Sequence, residues 1–179
     1  MNVPKYFATK NLNKLRELNE ILGAQFEHKA LELIEPQGLD LAEIVAAKAR
    51  AAYAQLGEPI LVEDTSLEFA AWNGLPGPLI KWFLEALGKE GILKMFGAEP
   101  DRSATAKTAF AFFDGRDVRI FSGEVYGRIA SKVLGESGFG WDPIFIPEGI
   151  EKSFAQMDPA EKNKISARAK ALIELKRIL

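Results

Sequence analysis

Two adjacent carboxylates, Glu63 and Asp64, come directly after the apolar run Ile60-Leu61-Val62 and before the hydroxyl residues Thr65 and Ser66. The apolar run predicts a buried strand that ends in the two acids at the rim of a sheet, where open α/β folds bind ligands. Because side chains alternate along a strand, the acids point to opposite faces and only one of them faces the chemistry. The alternative is that the pair simply opens a polar turn.

A second group of candidate residues lies where the first predicted strand, residues 5–9, meets the first predicted helix. The helix runs from Asn11 to a closing glycine, Gly23, with apolar residues at helical spacing. Backbone donors and the positive end of the helix dipole at such a junction suit a phosphate, beside Thr9 and Asn11 and with Lys14 adding a point charge. The alternative is that Thr9 or Asn11 merely caps the helix.

The second predicted helix, over residues 41–56, carries a further acid and base near its start. Asp40 and Glu43 have the spacing of a capping box, which explains Glu43 structurally. The functional alternative is that Glu43 is a carboxylate ligand for a divalent cation. Lys48 follows about 140° further round the helix, so the two cannot form an i,i+4 pair and Lys48 needs another partner.

A glycine-rich loop, residues 135–147, carries Phe139, Trp141 and Asp142. A dinucleotide-binding fingerprint would open a helix, whereas residues 143–146 predict a strand, and the chain has no GxxxxGK[ST] phosphate loop. An aromatic residue beside glycines and an acid can stack on a base while the acid bonds its edge. The alternative for Trp141 is a place in the core.

The remaining patterns supply the elements that position these residues. Residues 80–87 predict a helix with Lys81 at its start, and residues 91–95 predict a further short helical piece. Residues 105–113 and 118–129 predict a hairpin around Asp114-Gly115, with Gly123 marking a bulge. A C-terminal helix has Ser166 and Arg168 near its start.

Composition limits the classes of function. The 179 residues suit a single domain, 1–179, and contain no cysteine, which excludes thiol catalysis and cysteine-bound zinc. One histidine, His28, leaves no histidine metal site, and we read it as a surface or edge residue. A net charge of −2 argues against a polynucleotide partner. Without an apolar signal core or a membrane-spanning stretch, we expect a cytoplasmic protein without a membrane partner, whose metal is bound by oxygen.

Taken together, five stretches in chain order resemble the motifs of the Ham1 family of inosine triphosphate pyrophosphatases: residues 8–14, Glu43 with Lys48, residues 63–67 followed by 74–78, residues 138–145, and residues 161–169. The resemblance implies an α/β fold of the ITPase and Maf-like type, with a long twisted mixed β-sheet flanked by helices and two lobes around a central cleft. It implies Mg²⁺-dependent hydrolysis of ITP, dITP and XTP to monophosphate and pyrophosphate, with Mn²⁺ able to replace Mg²⁺, by a homodimer.

The resemblance also implies roles for residues. Asp64 would be the proton acceptor and a metal ligand, with Glu43 as the second metal carboxylate. The triphosphate would be held by Thr9, Asn11, Lys14, Lys48 and Lys81, with Lys10 adding phosphate affinity. Phe139 would stack on the base, and Trp141, Asp142, Lys162 and Arg168 would complete the base and nucleotide contacts. Thr65, Gly140 and Ala167 would be further substrate-binding residues. Arginine offers only donors, so Arg168 would suit the O6 acceptor of hypoxanthine or xanthine and not the amino group of adenine.

One position departs from the family pattern. The last motif usually reads Ser-His-Arg, whereas this chain has Ser166-Ala167-Arg168. Losing a polar contact from a desolvated site removes about 1–3 kcal/mol of recognition. Two alternatives follow: a related Maf-like pyrophosphatase with another base preference, and a nucleotide-binding protein without catalysis.

Overall fold

The structure is a computed structural model that describes residues 4–34 and 36–177, which alternate strands and helices as the α/β class predicts. The strands are β1 Tyr6–Ala8, β2 Glu27–Lys29, β3 Ile60–Phe69, β4 Pro76–Gly77, β5 Ser103–Phe113, β6 Val118–Ile129 and β7 Phe145–Pro147. The helices are α1 Leu12–Leu22, α2 Leu41–Leu56, α3 Ile80–Phe96, α4 Pro159–Ile165 and α5 Ala167–Lys176. None of the helices within the described ranges is long and apolar enough to cross a membrane.

The seven strands among these residues form one mixed sheet, as expected. Its order is β2-β1-β3-β5-β6-β7, with the short β4 paired to β3. Strand β1 is parallel to β2 and β3, and the remaining pairs are antiparallel. His28 is exposed on β2, which is an edge strand of the sheet. This confirms the prediction that His28 is a surface or edge residue.

Strand β3 does not end at the acidic pair, so that prediction is wrong. Its ladder with β5 continues without interruption from Ile60 opposite Phe113 to Phe69 opposite Ala104. Glu63 and Asp64 therefore lie in the middle of a ten-residue strand. Polar residues of this kind end many strands. Here β5 pairs with β3 alongside them, and the strand therefore continues.

The long strands β3, β5 and β6 carry two separate packing regions, which we call the first and second lobes. In the first lobe, Leu61 packs with α1 and α5 on one face, while Ile60 and Val62 pack with α2 on the other. In the second lobe, Leu67 and Phe69 pack with α3 and with Phe145 and Phe154. Asp64 and Thr65 lie between the two lobes.

Helix boundaries follow the capping signals in the sequence. Helix α1 starts after Asn11, whose side chain accepts a hydrogen bond from Asn13 N, and ends at left-handed Gly23. Helix α2 occupies the predicted range, with Asp40 as its N-cap. The predicted pieces 80–87 and 91–95 both belong to α3, which is broken at Gly88 (φ 67°, ψ 179°).

The bulge predicted at Gly123 is absent. Gly123 pairs with Thr108 in the regular ladder that joins β5 to β6. A glycine is required there because α5 crosses directly above: a Cβ atom would lie 2.4 Å from the carbonyl oxygen of Ala167 and 2.6 Å from the nitrogen of Ala171. The glycine allows close packing of a helix on the sheet, which also fixes the start of α5.

Candidate active site

A cavity of about 860 Å³ lies between the two lobes. Its wall is formed by the β1–α1 junction, the middle of β3, the start of α3, the glycine-rich loop and the start of α5. The structure thereby brings together around one cavity all the predicted substrate residues: Thr9, Lys10, Asn11, Lys14, Lys48, Thr65, Lys81, Phe139, Gly140, Trp141, Asp142, Lys162, Ala167 and Arg168, together with Asp64. Their roles stay predictions.

Asp64 presents a carboxylate to this cavity with two lysines close by. Its side chain is 23% exposed, and its oxygens lie 3.9 Å from the Nζ of Lys14 and 3.8 Å from the Nζ of Lys48. The backbone N–H of Thr65 donates to the same carboxylate at 2.8 Å. Lys48 also donates to the carbonyl oxygen of Glu63 at 3.2 Å, so both of these contacts of Lys48 are with β3.

Strand alternation separates the two acids as predicted. Glu63 points to the opposite face of β3, where its side chain is fully buried against Arg168 and Lys14. Burial by itself raises the pKa of Glu63, but the positive charges of Arg168 and Lys14 outweigh it and hold the pKa below its usual value. Glu63 is therefore an ionised, buried carboxylate outside the cavity wall.

Glu17, which is not among the predicted site residues, binds Arg168 together with Glu63. It is 5% exposed and accepts hydrogen bonds from Lys162 Nζ at 2.9 Å and from Arg168. A signal was available, because Glu17 follows Lys14 by three residues and shares its helix face. That face also carries buried Leu18, so an acid there requires a buried partner.

The glycine-rich loop closes on Asp142. The carboxylate accepts hydrogen bonds from the backbone N–H of Phe139 at 2.8 Å and from Lys162 Nζ at 2.6 Å. Burial raises the pKa of Asp142, and the charge of Lys162 only partly offsets this effect. Gly138 has φ of +75°, and a Cβ there would lie 2.4 Å from Asp142 Oδ2, so the tight turn needs glycine.

Aromatic rings form the wall beside that loop. Phe139 lies 4.7 Å from Lys162 Nζ and 5.4 Å from the guanidinium carbon of Arg168, measured to the ring centroid. Trp141 meets Phe145 edge-to-face at 5.6 Å and is only partly buried. Trp141 therefore packs against the second-lobe core and also lines the cavity, and its stacking on a base stays a prediction.

The residues at the β1–α1 junction likewise have two roles, because they make local hydrogen bonds and also line the cavity. The hydroxyl of Thr9 accepts the N–H of Asn11 at 3.1 Å, and Asn11 caps α1, yet both residues line the cavity. Lys10 pairs with Glu32, and Lys81 is 62% exposed with Glu85 at 4.0 Å. These two lysines lie at the outer part of the cavity, where their charges are well solvated.

Glu43 is placed apart from the other predicted residues. It is exposed on the first turn of α2, where its backbone N–H donates to Asp40, and it is not part of the cavity wall. Within residues 4–34 and 36–177, no three histidine, cysteine or acidic residues are grouped as a ready metal site. Asp64 is the carboxylate of the predicted metal pair that faces the cavity.

Several known proteins are similar to this chain in sequence and fold. The model of the Ham1 family matches residues 5–178. An inosine triphosphate pyrophosphatase of Yarrowia lipolytica is 47% identical over 175 residues, 95% of this chain and 92% of that protein. A dITP/XTP pyrophosphatase of Methanopyrus kandleri is 44% identical over 171 residues, 93% of this chain and 90% of that protein. The structure of a HAM1 protein from Coxiella burnetii superposes with a TM-score of 0.87 at 31% identity, covering 99% of this chain and 98% of that one.

Proposed function

This chain belongs to the Ham1 family, and on that premise we propose that it hydrolyses ITP, dITP and XTP to the nucleoside monophosphate and pyrophosphate. The observation that carries the proposal is Asp64, a carboxylate at the cavity surface with Lys14 and Lys48 within 4 Å. A carboxylate between two cations suits a reaction in which water attacks a polyanion. The lysines draw the phosphates towards the group that receives the proton.

The donor set of the cavity fits Mg²⁺ with substrate bound. Mg²⁺ keeps several waters and is held through one or two carboxylates plus substrate phosphates, so a complete protein cage is not required. Asp64 supplies one such carboxylate from the cavity wall, and Glu43, which lies outside that wall on the first turn of α2, is the second proposed ligand. When bound, the ion would neutralise charge on the phosphates and acidify water, and Mn²⁺ has the same preference for oxygen.

The side chains of the chain itself divide the remaining work. Asp64 accepts the proton of the attacking water, a role worth about 10²–10⁴ in rate. Thr9, Asn11, Lys14 and Lys48 hold the phosphates, and the lysines stabilise charge that develops as the anhydride bond breaks. Holding the reacting groups at one place also removes the entropy cost of bringing them together.

The opposite end of the cavity recognises the base. Phe139 and Trp141 provide aromatic surface for stacking, and Asp142, Lys162 and Arg168 provide polar groups for the base edge. Three of the five N–H donors of Arg168 are bound by Glu63 and Glu17, which leaves two for the O6 acceptor of a keto purine. Adenine offers an amino group there and is rejected.

A second candidate function differs in base preference. Ala167 is 3% exposed, lies in the cavity wall and has no side-chain donor for a base edge. This observation favours a Maf-like pyrophosphatase acting on pyrimidine or methylated nucleotides. A nucleotide-binding protein without turnover is the third candidate, and retention of Asp64 with its two lysines argues against it.

A substrate panel tests these proposals. The purified protein is incubated with ITP, XTP, GTP, ATP and UTP, with Mg²⁺, with Mn²⁺ and with neither, and pyrophosphate and orthophosphate are measured separately. We expect pyrophosphate from ITP and XTP in the presence of Mg²⁺. Orthophosphate as the first product would contradict the proposed reaction, and preferred cleavage of UTP would favour the second candidate. Tight ITP binding without turnover would favour the third.

We further propose that the protein acts as a homodimer in the cytoplasm, without a polynucleotide or membrane partner. The cytoplasmic location follows from the proposed substrates, because ITP, dITP and XTP would be drawn from the pool of free nucleotides. Exposed Ile120 and Tyr126 on one face of β6 support a second copy of the chain as the partner.

A further inference from the structure

Six charged side chains, five buried and one partly buried, form one continuous chain of ion pairs, and four of them also line the cavity. In order of contact they are Lys14, Glu63, Arg168, Glu17, Lys162 and Asp142. Their side chains are between 0% and 15% exposed, and three acids balance three bases. The chain of contacts begins at a phosphate lysine and ends at the carboxylate that holds the glycine-rich loop, so it spans both ends of the site.

Glu63 is the point at which this chain joins the phosphate side to the base side. Its two oxygens accept Nε and Nη2 of Arg168 at 2.9 and 2.7 Å, and Lys14 Nζ lies 3.3 Å from Oε1. The Glu63 side chain has 0% exposure and does not line the cavity, so it does not touch a bound nucleotide. Any effect of Glu63 on the reaction must pass through Lys14 or Arg168.

The contacts of Glu63 fix the positions of both of its partners, Arg168 and Lys14. A paired fork of two hydrogen bonds fixes the plane of the Arg168 guanidinium, which a single bond would not do. Lys14 is a flexible point charge whose position depends on its anionic neighbours. Removing the charge of Glu63 would leave Arg168 and Lys14 each with one acidic partner fewer, and both side chains would move.

We propose that Glu63 is a positioning residue that couples the phosphate-binding Lys14 to Arg168 at the base end of the cavity. This inference rests on the proposed function, because it assigns the two ends of the cavity to phosphate and base. It makes base recognition and phosphate alignment interdependent: a nucleotide that satisfies Arg168 also keeps Lys14 in place. Glu63 thus contributes to specificity without contacting the substrate.

The first test compares Glu63→Gln with Glu68→Gln. Glu68 lies on the same strand and is also ion-paired, to Lys107 at 2.8 Å, but it is outside the cavity wall. For Glu63→Gln we expect kcat for ITP to fall by about 10²-fold, because misplacement of a positioned group by about 1 Å costs that much. The ratio of kcat/KM between ITP and ATP should fall as well. Glu68→Gln should keep both quantities within about twofold of the wild type.

Glu63→Asp keeps the charge on a shorter side chain and serves as the conservative variant. We expect it to recover at least about tenfold of the lost kcat, which a purely steric role for Glu63 would not produce. It also keeps the proposal testable if Glu63→Gln does not fold. A Glu63→Gln protein with wild-type kcat and wild-type ITP/ATP ratio, whatever its melting temperature, would overturn the proposal.

The second test measures the coupling directly. Lys14→Met, Arg168→Lys and the double variant are made with Glu63 present and in the Glu63→Gln background. With Glu63 present, the fold-loss in kcat/KM of the double variant should differ by at least about fivefold from the product of the two single-variant fold-losses. In the Glu63→Gln background, the fold-loss of the double variant should equal that product. If the double-variant fold-loss equals the product of the single-variant fold-losses in both backgrounds, the proposed coupling is overturned.

A binding measurement separates this inference from the proposed function. Calorimetry with pyrophosphate and with IMP, each alone, reports the two ends of the cavity without any turnover. We expect Glu63→Gln to weaken both ligands at least fivefold, whereas unchanged affinities for both would overturn the proposal. If the wild type releases no pyrophosphate from any nucleotide, the proposed function fails while this measurement still decides the role of Glu63.

Discussion

The neighbours Glu63 and Asp64 show how one residue of displacement along a strand changes the chemistry of a carboxylate. Asp64 points towards α2 and the cavity, where its side chain is 23% exposed. Glu63 points towards α1 and α5, where its side chain has no exposure and its partners are buried cations. The carboxylate of Asp64 is open to the cavity, whereas that of Glu63 contacts only protein groups.

Asp64→Asn tests the assigned proton acceptor. The amide keeps the size of the side chain but cannot take a proton from water, so we expect pyrophosphate release from ITP to fall by at least about 10²-fold. The measurement is kcat at saturating ITP and Mg²⁺. Asp117→Asn, an equivalent change at an exposed position in the β5–β6 turn, should retain wild-type activity. Wild-type kcat in Asp64→Asn would remove Asp64 from its assigned role.

Ala167→His tests whether the missing side chain sets base preference. Ala167 lies in the cavity wall next to Arg168, so an imidazole there adds a donor for a keto group. We expect kcat/KM for ITP relative to ATP and UTP to rise by about 5- to 150-fold, which corresponds to about 1–3 kcal/mol for satisfying one polar group in a desolvated site. Ala171→His, a buried change further along α5 and outside the cavity wall, controls for general disturbance of that helix. An unchanged ratio in a folded Ala167→His protein would show that position 167 does not read the base.

At the scale of elements, local signals in the sequence predicted most of the fold. Asn11 and Asp40 cap the helices they were expected to cap, Gly23 ends α1, and Asp114-Gly115 joins the two strands of the hairpin. These signals work because a cap or a turn is decided by backbone groups within a few residues. Many cavity residues were also predicted, some from local chemistry, such as Thr9, Lys14 and Asp64, and others only from the resemblance to the Ham1 family motifs.

The features that were missed depend on neighbours distant in sequence. Strand β3 continues past Glu63 because β5 pairs with it, and no local pattern within residues 60–67 carries that information. Gly123 is a packing contact with α5 and not a bulge, which requires knowing where residue 167 lies. The helix face of Glu17 indicates a buried partner, but the partners themselves, Lys162 and Arg168, are 145 and 151 positions further along the chain.

Gly123→Ala tests the packing of α5 on β6. The added Cβ would meet backbone atoms of Ala167 and Ala171 at 2.4 and 2.6 Å, and these cannot move without shifting the helix. Overpacking of this kind costs about 1–3 kcal/mol, which lowers Tm by about 2–12 °C in a protein of this size. Because Arg168 moves with the helix, we also expect kcat/KM for ITP to fall. Thermal unfolding and the pyrophosphate assay measure the two effects.

The matched control is Gly38→Ala. An added Cβ at Gly38 meets nothing within 4 Å, and its backbone is not left-handed, so Tm should stay within about 1 °C of the wild type. If Gly123→Ala unfolds at the wild-type temperature, the close approach of α5 is not a constraint on this sequence, and another reason for the glycine is needed.

At the scale of the whole molecule, the sheet determines where the cavity and the free surfaces lie. Strands β3, β5 and β6 pass through both lobes, and β3 and β5 supply Asp64, Thr65 and Thr108 to the cavity, whose remaining lining comes mainly from loops and helices. Helix α2 covers the first-lobe part of one sheet face. On β6 the side chains of Ile120 and Tyr126 are 41% and 56% exposed. Both have even positions along the strand, so they share one face.

This face of β6 is the surface through which we expect two copies of the chain to associate. It combines apolar Ile120 and Tyr126 with Glu124 on the same strand and Lys107 on β5, and such a mixture of both charges with apolar area suits a self-complementary two-fold contact. Light scattering after size-exclusion chromatography should give twice the chain mass of 19.8 kDa at micromolar concentration. Tyr126→Glu should convert the protein to a monomer, because the new charge is buried without a partner in the contact. Ile173→Glu changes an equally exposed apolar residue on α5 and should leave the dimer intact. A wild-type protein that elutes at the mass of a single chain, or dissociation by Ile173→Glu but not by Tyr126→Glu, would rule out this face.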